Sequence, residues 1–475
     1  MDLNFFISKN QGKPIVVVQG LGFVGSVMSL VVANAIDGDY AVVGVEQDTD
    51  IGRKIVDSLN NGVFPVVADD PKIKEYFDIA CERGNFFATV DTLAYAEADV
   101  VIVDINLDVK KVSDEQYALT DFTVTLEPFE KAIKTIASCC KPDMLLLVET
   151  TVPPGTCQNV VGPIIKNALK QRGLPIDKIR IGHSYERVMP GPTYVNSIQN
   201  FYRVYSGVDD ASADAVEVFL KTIIRTDEYP LTRLGSTNAS EMAKVLENSY
   251  RAMNIAFVVE WSRMAEEAGV DLYEVVNAIR QRPTHSNLMF PGIGVGGYCL
   301  TKDPLLASWS RNKLIGGAGG LAQSEVAVSI NDQMPRYAFE FLKKRYQKSL
   351  EGQKVLLLGV SYRGDVGDTR FSPVEGFCRC LLATGAVVSA HDPYVLVWSE
   401  LGIEPCQVLN EALCVQPDVV VISAGHLMYQ RDETIQALLG CKRMMVYDTI
   451  GLLLKDQISK LRQKHEVIVL GRGDL

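Results

Sequence analysis

The sequence predicts an α/β chain: two Rossmann-like, doubly wound domains joined by a long central helical domain. Two observations lead there. Short apolar runs alternate with helical stretches over residues 15–207 and again over 354–470. Between them, the stretch from Ser236 to Ala268 holds neither Pro nor Gly, which predicts an unbroken helix. Length agrees: 475 residues exceed one ordinary core, since domains run to roughly 100–200 residues. The expected domains are 1–235, 236–345 and 346–475.

Residues 1–13 read as a short peripheral lead. Ile15–Val18 is a buried parallel strand, and it runs into Gly20-Leu21-Gly22-Phe23-Val24-Gly25. A helical stretch from Ser26 to Ala35 and a strand from Ala41 to Val45, ending at Glu46, complete a dinucleotide fingerprint. Gly20 permits the tight turn, Gly22 admits the pyrophosphate to the backbone, and Gly25 lets helix pack on strand. Phe23 and Val24 open the helix whose N-terminus would face the phosphates. Glu46 stands where a carboxylate accepts from ribose hydroxyls and repels a 2′-phosphate, so NAD is expected over NADP. The alternative is a Gly-rich turn in an unliganded α/β domain.

Strands follow at 99–103, 144–148, 179–182 and 203–207, with a helix over Phe122–Cys139. Ligands in such sheets sit off the carboxyl ends of strands, which places Glu149-Thr150-Thr151 at the cleft. Helix capping is the competing role for these threonines. His183-Ser184-Tyr185-Glu186-Arg187, leading into Val188-Met189-Pro190-Gly191-Pro192, is either a substrate wall or a loop with an ion pair.

On the central helix Glu241, Lys244, Asn248 and Arg251 recur at spacings that share one face. Such a stripe is either a solvated face or part of a site. A second helix covers Leu272–Arg280. Then comes Gly292-Ile293-Gly294-Val295-Gly296-Gly297-Tyr298-Cys299-Leu300-Thr301-Lys302-Asp303-Pro304. Glycines let a backbone approach a ligand closely, and a cysteine near a cation is a candidate nucleophile. A turn with a buried thiol is the bland alternative.

Gly316–Gly320 is a break, and a helix over 321–346 carries Pro335 as a kink or joint. The second α/β unit has strands at 354–359, 387–390 (ending in Asp392), 419–422, 444–447 and 467–470, with helices over 374–383 and 433–439. It lacks GxGxxG. Its first strand leads to Arg363 and Arg370, then Ser372 capping a helix, a combination able to hold a phosphate. Ordinary loop arginines are the alternative.

Composition limits the function classes. A net charge of −11 argues against a general nucleic-acid binder, which needs a basic face. The ten cysteines form no CxxC pair and the five His no HExxH, so neither a disulfide framework nor a metal site is expected. No apolar run approaches the ~18 residues of a membrane span, and a reduced, cytoplasmic setting is expected.

Taken together, the motifs resemble the nucleotide-sugar 6-dehydrogenase family, which comprises the UDP-glucose, UDP-N-acetylhexosamine and GDP-mannose dehydrogenases. The resemblance rests on GxGxxG, Thr151-Val152-Pro153, the helix with Lys244 and Asn248, Gly294–Pro304, and Asp368-Thr369-Arg370-Phe371-Ser372-Pro373, in the family order. It implies oxidation of the sugar's carbon-six alcohol to a carboxylate with two NAD per product. Cys299 would form a thiohemiacetal and then a thioester. Lys244 and Asn248 would hold the oxyanion. Asp303, through a water shared with Thr151, would take the alcohol proton, and Glu186 would assist thioester formation and hydrolysis. Thr151 and Lys302 join the expected cofactor contacts, with substrate phosphate or loop structure as other roles for Lys302. Glu186, Arg187, Lys244, Asn248, Gly296, Arg363 and Arg370 are the expected substrate contacts. The family also implies a homodimer or higher homo-oligomer paired through central helices, for which Ala252, Ile255, Val258 and Val259 offer apolar positions.

Departures bear on the sugar. Tyr185-Glu186-Arg187-Val188-Met189-Pro190-Gly191 places Pro190 where the UDP-glucose branch has a second glutamate, and resembles the UDP-N-acetylhexosamine branch. Asp448-Thr449-Ile450-Gly451 lacks the arginine common there, and Asn106-Leu107-Asp108 replaces the usual Pro-Thr-Pro. UDP-glucose and GDP-mannose remain alternative substrates. A two-electron 3-hydroxyacid dehydrogenase shares the Rossmann domain and the Lys/Asn helix but needs neither Cys299 nor residues 354–475. A non-catalytic nucleotide-sugar sensor is a third reading.

Overall fold

The computed structural model describes residues 2–65, 70–188, 191 and 193–475, so Met189, Pro190 and Pro192 lie outside the described residues. The chain forms two compact units. The first comprises Met1–Lys110, Thr123–Leu246 and Trp309–Gly320; the second comprises Lys111–Phe122, Glu247–Ser308 and Leu321–Leu475.

The first unit is built on β1 (Ile15–Gln19), β2 (Ala41–Val45), β3 (Phe86–Thr89) and β4 (Val100–Val103). A two-stranded ribbon, β5 (Val109–Ser113) and β6 (Leu119–Val124), falls mostly in the second unit, and the first continues with β7 (Leu145–Val148), β8 (Arg180–His183), β9 (Val204–Gly207) and β10 (Thr232–Arg233). The sheet order is β10-β9-β8-β7-β4-β1-β2-β3. Strands β3 to β8 of that order pair in parallel, and β9 turns antiparallel to β8. Every residue of β1 and β2 is buried, as a parallel strand covered on both faces requires. The strand order reverses between β1 and β4, so the crevice off their carboxyl ends is the ligand position.

Two sequence expectations are refined here. The peripheral lead over residues 1–13 contains a helix the sequence reading did not give: Leu3–Lys9 is capped by Asp2, and its Phe6 is fully buried, stacked on Phe87 at 5.5 Å. The helix expected from Phe122 starts instead at Glu127, with Pro128 in its first turn. Thr120, Thr123 and Val124 are β-branched and pair in β6. Helices Asp50–Asn60, Pro71–Arg83 and Asp210–Ile223 add to the elements read from sequence.

The second unit holds β11 (Lys354–Leu358), β12 (Val387–His391), β13 (Val419–Ile422), β14 (Met445–Asp448) and β15 (Glu466–Val469), all parallel in the order β12-β11-β13-β14-β15. Its reversal lies between β11 and β13. One face packs with Met334, Ala338 and Leu342 of the helix Ala322–Tyr346. That helix continues through Pro335, so no joint forms there. The other face packs Leu356, Leu358, Val420 and Val446 against Ile435, Leu438 and Leu461.

The helix Thr237–Ala268 inverts the usual pattern. Glu241, Lys244 and Asn248 are buried, whereas Leu246 is 62% and Phe257 55% exposed. A solvated face therefore does not explain those three residues, although Arg251 is exposed.

Candidate active site

The dinucleotide turn has the stereochemistry its glycines predict. Gly20 has φ +93°, and a Cβ there would lie 2.3 Å from the Asp104 carbonyl oxygen across the crevice. A Cβ on Gly25 would meet the Gly20 carbonyl oxygen at 1.9 Å, whereas one on Gly22 would meet nothing within 4 Å. The backbone is thus closed at Gly20 and Gly25 and open at Gly22, where a pyrophosphate needs room. Gly22 is the N-cap of the helix Phe23–Ala33, with no side-chain cap on its amides. Glu46 accepts from the Leu21 amide at 2.7 Å and the Gln47 amide at 2.8 Å, which holds its carboxylate beside the turn. These residues fit NAD.

Off the ends of β4, β7 and β8 lies a charged cluster. Arg203 donates to Glu149 at 2.6 Å, both side chains being out of solvent. Burial raises the Glu149 carboxyl against the pull of Arg203. Asp104 Oδ2 is buried without a hydrogen-bond partner. Burial, then Glu149 and Glu186, push Asp104 well above the usual carboxylate range. Lys244 donates to the Glu186 carbonyl at 3.0 Å and lies 5.2 Å over the Tyr185 ring. The Glu186 carboxylate accepts from the Val188 amide, and Arg187 lies over the Tyr185 and Phe201 rings.

Thr150 is tied down by the Ile105 amide and the Val103 carbonyl, so it joins strand ends. Thr151 follows it, partly exposed. Neither caps the next helical segment, whose N-cap is Thr156. Beneath, His183 Nδ1 meets Ser240 at 2.7 Å, and Ser240 meets Ser206 at 2.6 Å. Burial, with Lys244, lowers His183 to about 3, so it stays neutral. Glu241 receives the Gly155 amide at 2.6 Å and the Cys157 amide at 2.8 Å, bracing the turn after Pro153-Pro154. Asp104 and Arg203 were not read as site-supporting residues, and His183 and Glu241 lay in stretches read as possible parts of a site but had no role of their own. The acid at a strand end was a usable signal for Asp104; the other three depend on distant partners.

In the second unit Cys299 is exposed. Its carbonyl accepts the Asp303 amide at 2.9 Å and the Lys302 amide at 3.2 Å, so the thiol residue opens the helix Asp303–Lys313. Asp303 is fully buried. Its two oxygens take Lys302 Nζ at 2.7 Å and Asn248 Nδ2 at 2.6 Å. Lys302 also lies 4.5 Å over the Tyr298 ring, contacts that serve loop structure.

The glycines before Cys299 make close contacts within the second unit. A Cβ on Gly296 would lie 2.5 Å from Tyr362 Cβ and 2.8 Å from Pro373 Cδ. Gly297, at φ +80°, abuts the Tyr362 ring. The cysteine loop is therefore packed on the loop after β11. There Arg370 forks onto Asp368 at 2.9 and 2.7 Å. Asp368, and more weakly Tyr362 and Cys299, raise the Arg370 guanidinium. Arg363 is exposed, and Ser372 caps the helix Pro373–Ala383. Asp448 is buried and accepts the Ile450 and Leu453 amides, so it anchors the turn that lacks the arginine.

A Rossmann domain with an acid-tipped glycine turn, a second nucleotide-type sheet and an exposed thiol four residues before the aspartate of a buried Asp-Lys-Asn cluster define an NAD-dependent oxidoreductase. Family models agree along the chain: an NAD binding domain over residues 14–224, a central domain over 238–328 and a UDP binding domain over 356–455. The chain belongs to the UDP-glucose/GDP-mannose dehydrogenase family. It is 31% identical over 467 residues to a UDP-N-acetyl-D-mannosamine dehydrogenase of Methanocaldococcus jannaschii, covering 97% of each chain. An NDP-N-acetyl-D-galactosaminuronic acid dehydrogenase of Ralstonia nicotianae is 27% identical over 450 residues, 92% of this chain and 95% of that one. The solved UDP-D-ManNAc dehydrogenase of Pyrococcus horikoshii superposes with TM-score 0.79 at 25% identity, covering 97% of this chain and all of that one.

Proposed function

We propose that this enzyme oxidises the carbon-six alcohol of a UDP-N-acetylhexosamine to the carboxylate. The observation that carries the four-electron reading is Cys299: an exposed thiol at a helix start, four residues before a buried carboxylate held by Lys302 and Asn248. A two-electron dehydrogenase has no use for it. The relatives named above support the N-acetylhexosamine.

Bound NAD supplies the hydride acceptor, one per oxidation. Asp303 takes the alcohol proton as the first hydride leaves carbon six, a step to which the family resemblance also assigns Thr151. The Cys299 sulfur then bonds to the aldehyde carbon, and Lys244 and Asn248 stabilise the oxygen that becomes anionic. Loss of a second hydride leaves a thioester. Water, assisted by Glu186, adds to it and expels the thiolate, releasing the carboxylate. Gly20, Gly22, Phe23, Val24, Gly25 and Glu46 hold the dinucleotide, and Arg363 and Arg370 the nucleotide diphosphate.

The test is a panel of UDP-N-acetylmannosamine, UDP-N-acetylglucosamine, UDP-N-acetylgalactosamine, UDP-glucose and GDP-mannose, with NADH counted per acid formed. Two NADH with an N-acetylhexosamine supports the reading. One NADH, or a clear preference for UDP-glucose, overturns it.

We also assign self-association to the central helix, through different residues than the sequence indicated. Ala252, Val258 and Val259 are buried inside the chain, and Ile255 packs on the same core as Val259. Exposed instead are Met242, Leu246, Tyr250, Met253, Phe257, Trp261 and Met264. Their spacings of four, four, three, four, four and three trace the seam of a helix pair. Light scattering of Phe257→Glu/Trp261→Glu should show a smaller particle than the unmodified chain; an unchanged mass removes this assignment.

A further inference from the structure

The two Rossmann-like sheets share a detail at their crevices. In the first unit Gly20, at φ +93°, follows β1, and Glu46 after β2 accepts the next amide, that of Leu21. In the second, Gly359, at φ +90°, follows β11, and Asp392 after β12 accepts the next amide, that of Val360, at 2.8 Å. The outcome differs. Glu46 is partly exposed and available to a ribose, whereas Asp392 is fully buried. Besides Val360, Asp392 takes the Tyr394 amide at 2.9 Å and the His426 ring at 3.1 Å.

His426 is also fully buried. Its Nδ1 accepts the Asp365 amide at 2.8 Å, so the ring proton lies on Nε2 and is donated to Asp392. One ring thus links the loop after β13 to the loop after β11. Asp365 lies in the left-handed region, at φ +57°, as does Phe371 at +53°. Non-glycine residues hold that conformation only when their surroundings impose it. The restraints on Asp365 include the His426 ring and the Leu427 amide, which donates to its carboxylate at 3.1 Å, with the Tyr394 hydroxyl at 3.5 Å from the same carboxylate. The two loops also touch through backbone: a Cβ on Gly364 would meet the Gly425 carbonyl oxygen at 2.1 Å. The pinned segment is the one that carries Arg363 and Arg370.

We infer that His426, braced by Asp392, is a positioning residue that latches the Arg363–Arg370 loop in the shape that grips the nucleotide diphosphate. It turns the acid of a dinucleotide-type crevice inward. Recognition in this unit then falls to the arginine loop rather than to a carboxylate on ribose. The inference rests on the reading that this loop binds the substrate's nucleotide.

The experiment uses the full-length enzyme, with UDP and NAD binding measured by calorimetry and amide hydrogen exchange followed over residues 360–371. His426→Ala should weaken UDP about tenfold or more, the scale of one to two lost hydrogen bonds, with NAD affinity within about twofold. Exchange in the loop should accelerate. His426→Asn, whose amide oxygen can accept the Asp365 amide, should recover part of the UDP affinity. Asp365→Gly keeps the buried ring and its bond to the residue 365 amide, frees the Leu427 amide and relaxes the left-handed backbone, and so tests the second restraint on the loop where His426→Ala does not fold. It should weaken UDP without affecting NAD. Unchanged loop exchange and UDP affinity in these variants overturns the latch. If the unmodified enzyme binds neither UDP nor GDP, the nucleotide reading fails, and loop exchange alone still decides the latch.

Discussion

Asn248 donates to Asp303 at 2.6 Å while Lys302 donates to the other carboxylate oxygen at 2.7 Å, and none of the three is exposed. The pair spans two helices of the second unit: Asn248 one turn beyond Lys244 on the long helix, Asp303 at the start of the helix behind Cys299. A carboxylate fixed on both sides has one orientation, which proton transfer to it requires. Asp303→Asn keeps the shape and removes the charge. Its kcat should fall about 10²–10⁴-fold, with thermal stability changed far less than by a core truncation. A pre-steady-state trace should place the loss in the first hydride transfer; unchanged kcat would falsify the role.

Cys299→Ser separates the two oxidations. Its hydroxyl is a far weaker nucleophile than a thiolate, so product acid should be lost. Single-turnover NADH should drop from two per sugar towards one, with aldehyde trapped by a hydrazine. Two NADH per sugar from this variant removes the thioester route.

Glu46 should govern cofactor choice. Glu46→Ala frees the Leu21 amide and takes away the acceptor for ribose hydroxyls. NAD affinity should fall about tenfold or more, and the preference over NADP should narrow. Fluorescence titration with both dinucleotides reads the ratio; an unchanged ratio excludes Glu46 from ribose recognition.

The Glu149–Arg203 pair should show its importance through the variants that break it. Glu149→Gln leaves a buried guanidinium without its counter-charge, at a cost of about 3–5 kcal/mol. A double Glu149→Gln/Arg203→Met variant should be more stable than the single one, because both charges leave the interior together. Urea midpoints compare them, and a double variant weaker than both singles contradicts the argument.

Glu241 links stability to pH. Burial, opposed by the Cys157, Gly155 and Thr156 contacts, raises it from 4.5 to about 7. The folded chain therefore holds this proton more tightly than the unfolded chain. Its stabilising contribution is full below about 4.5 and is lost as pH rises through about 7. Glu241→Gln should flatten the stability slope in that window; an identical slope assigns it to other groups.

The sequence by itself determined the elements whose physics is local. Glycines at 20 and 25 are required by backbone stereochemistry, Glu46 follows at the length of one helix and strand, and the runs of Val and Leu announce buried parallel strands. The resemblance placed Cys299, Lys244, Asn248 and Asp303 in one candidate set. Tertiary structure decided what depends on distant partners. Glycine spacing cannot say which side chains pack against the loop, and Tyr362 and Pro373 do so at Gly296. A polar stripe cannot say whether it is solvated; Glu241 is buried because amides more than eighty residues away bind it. Nor could His426 be seen as a latch, since its partners Asp365 and Asp392 come from other loops. The sequence offered Ala252, Ile255, Val258 and Val259 as apolar positions for either helix pairing or internal packing, and could not say which. Which side of a helix meets solvent is settled by what packs on it, and burial of Ala252, Val258 and Val259 inside the chain leaves Leu246, Phe257 and Trp261 outside.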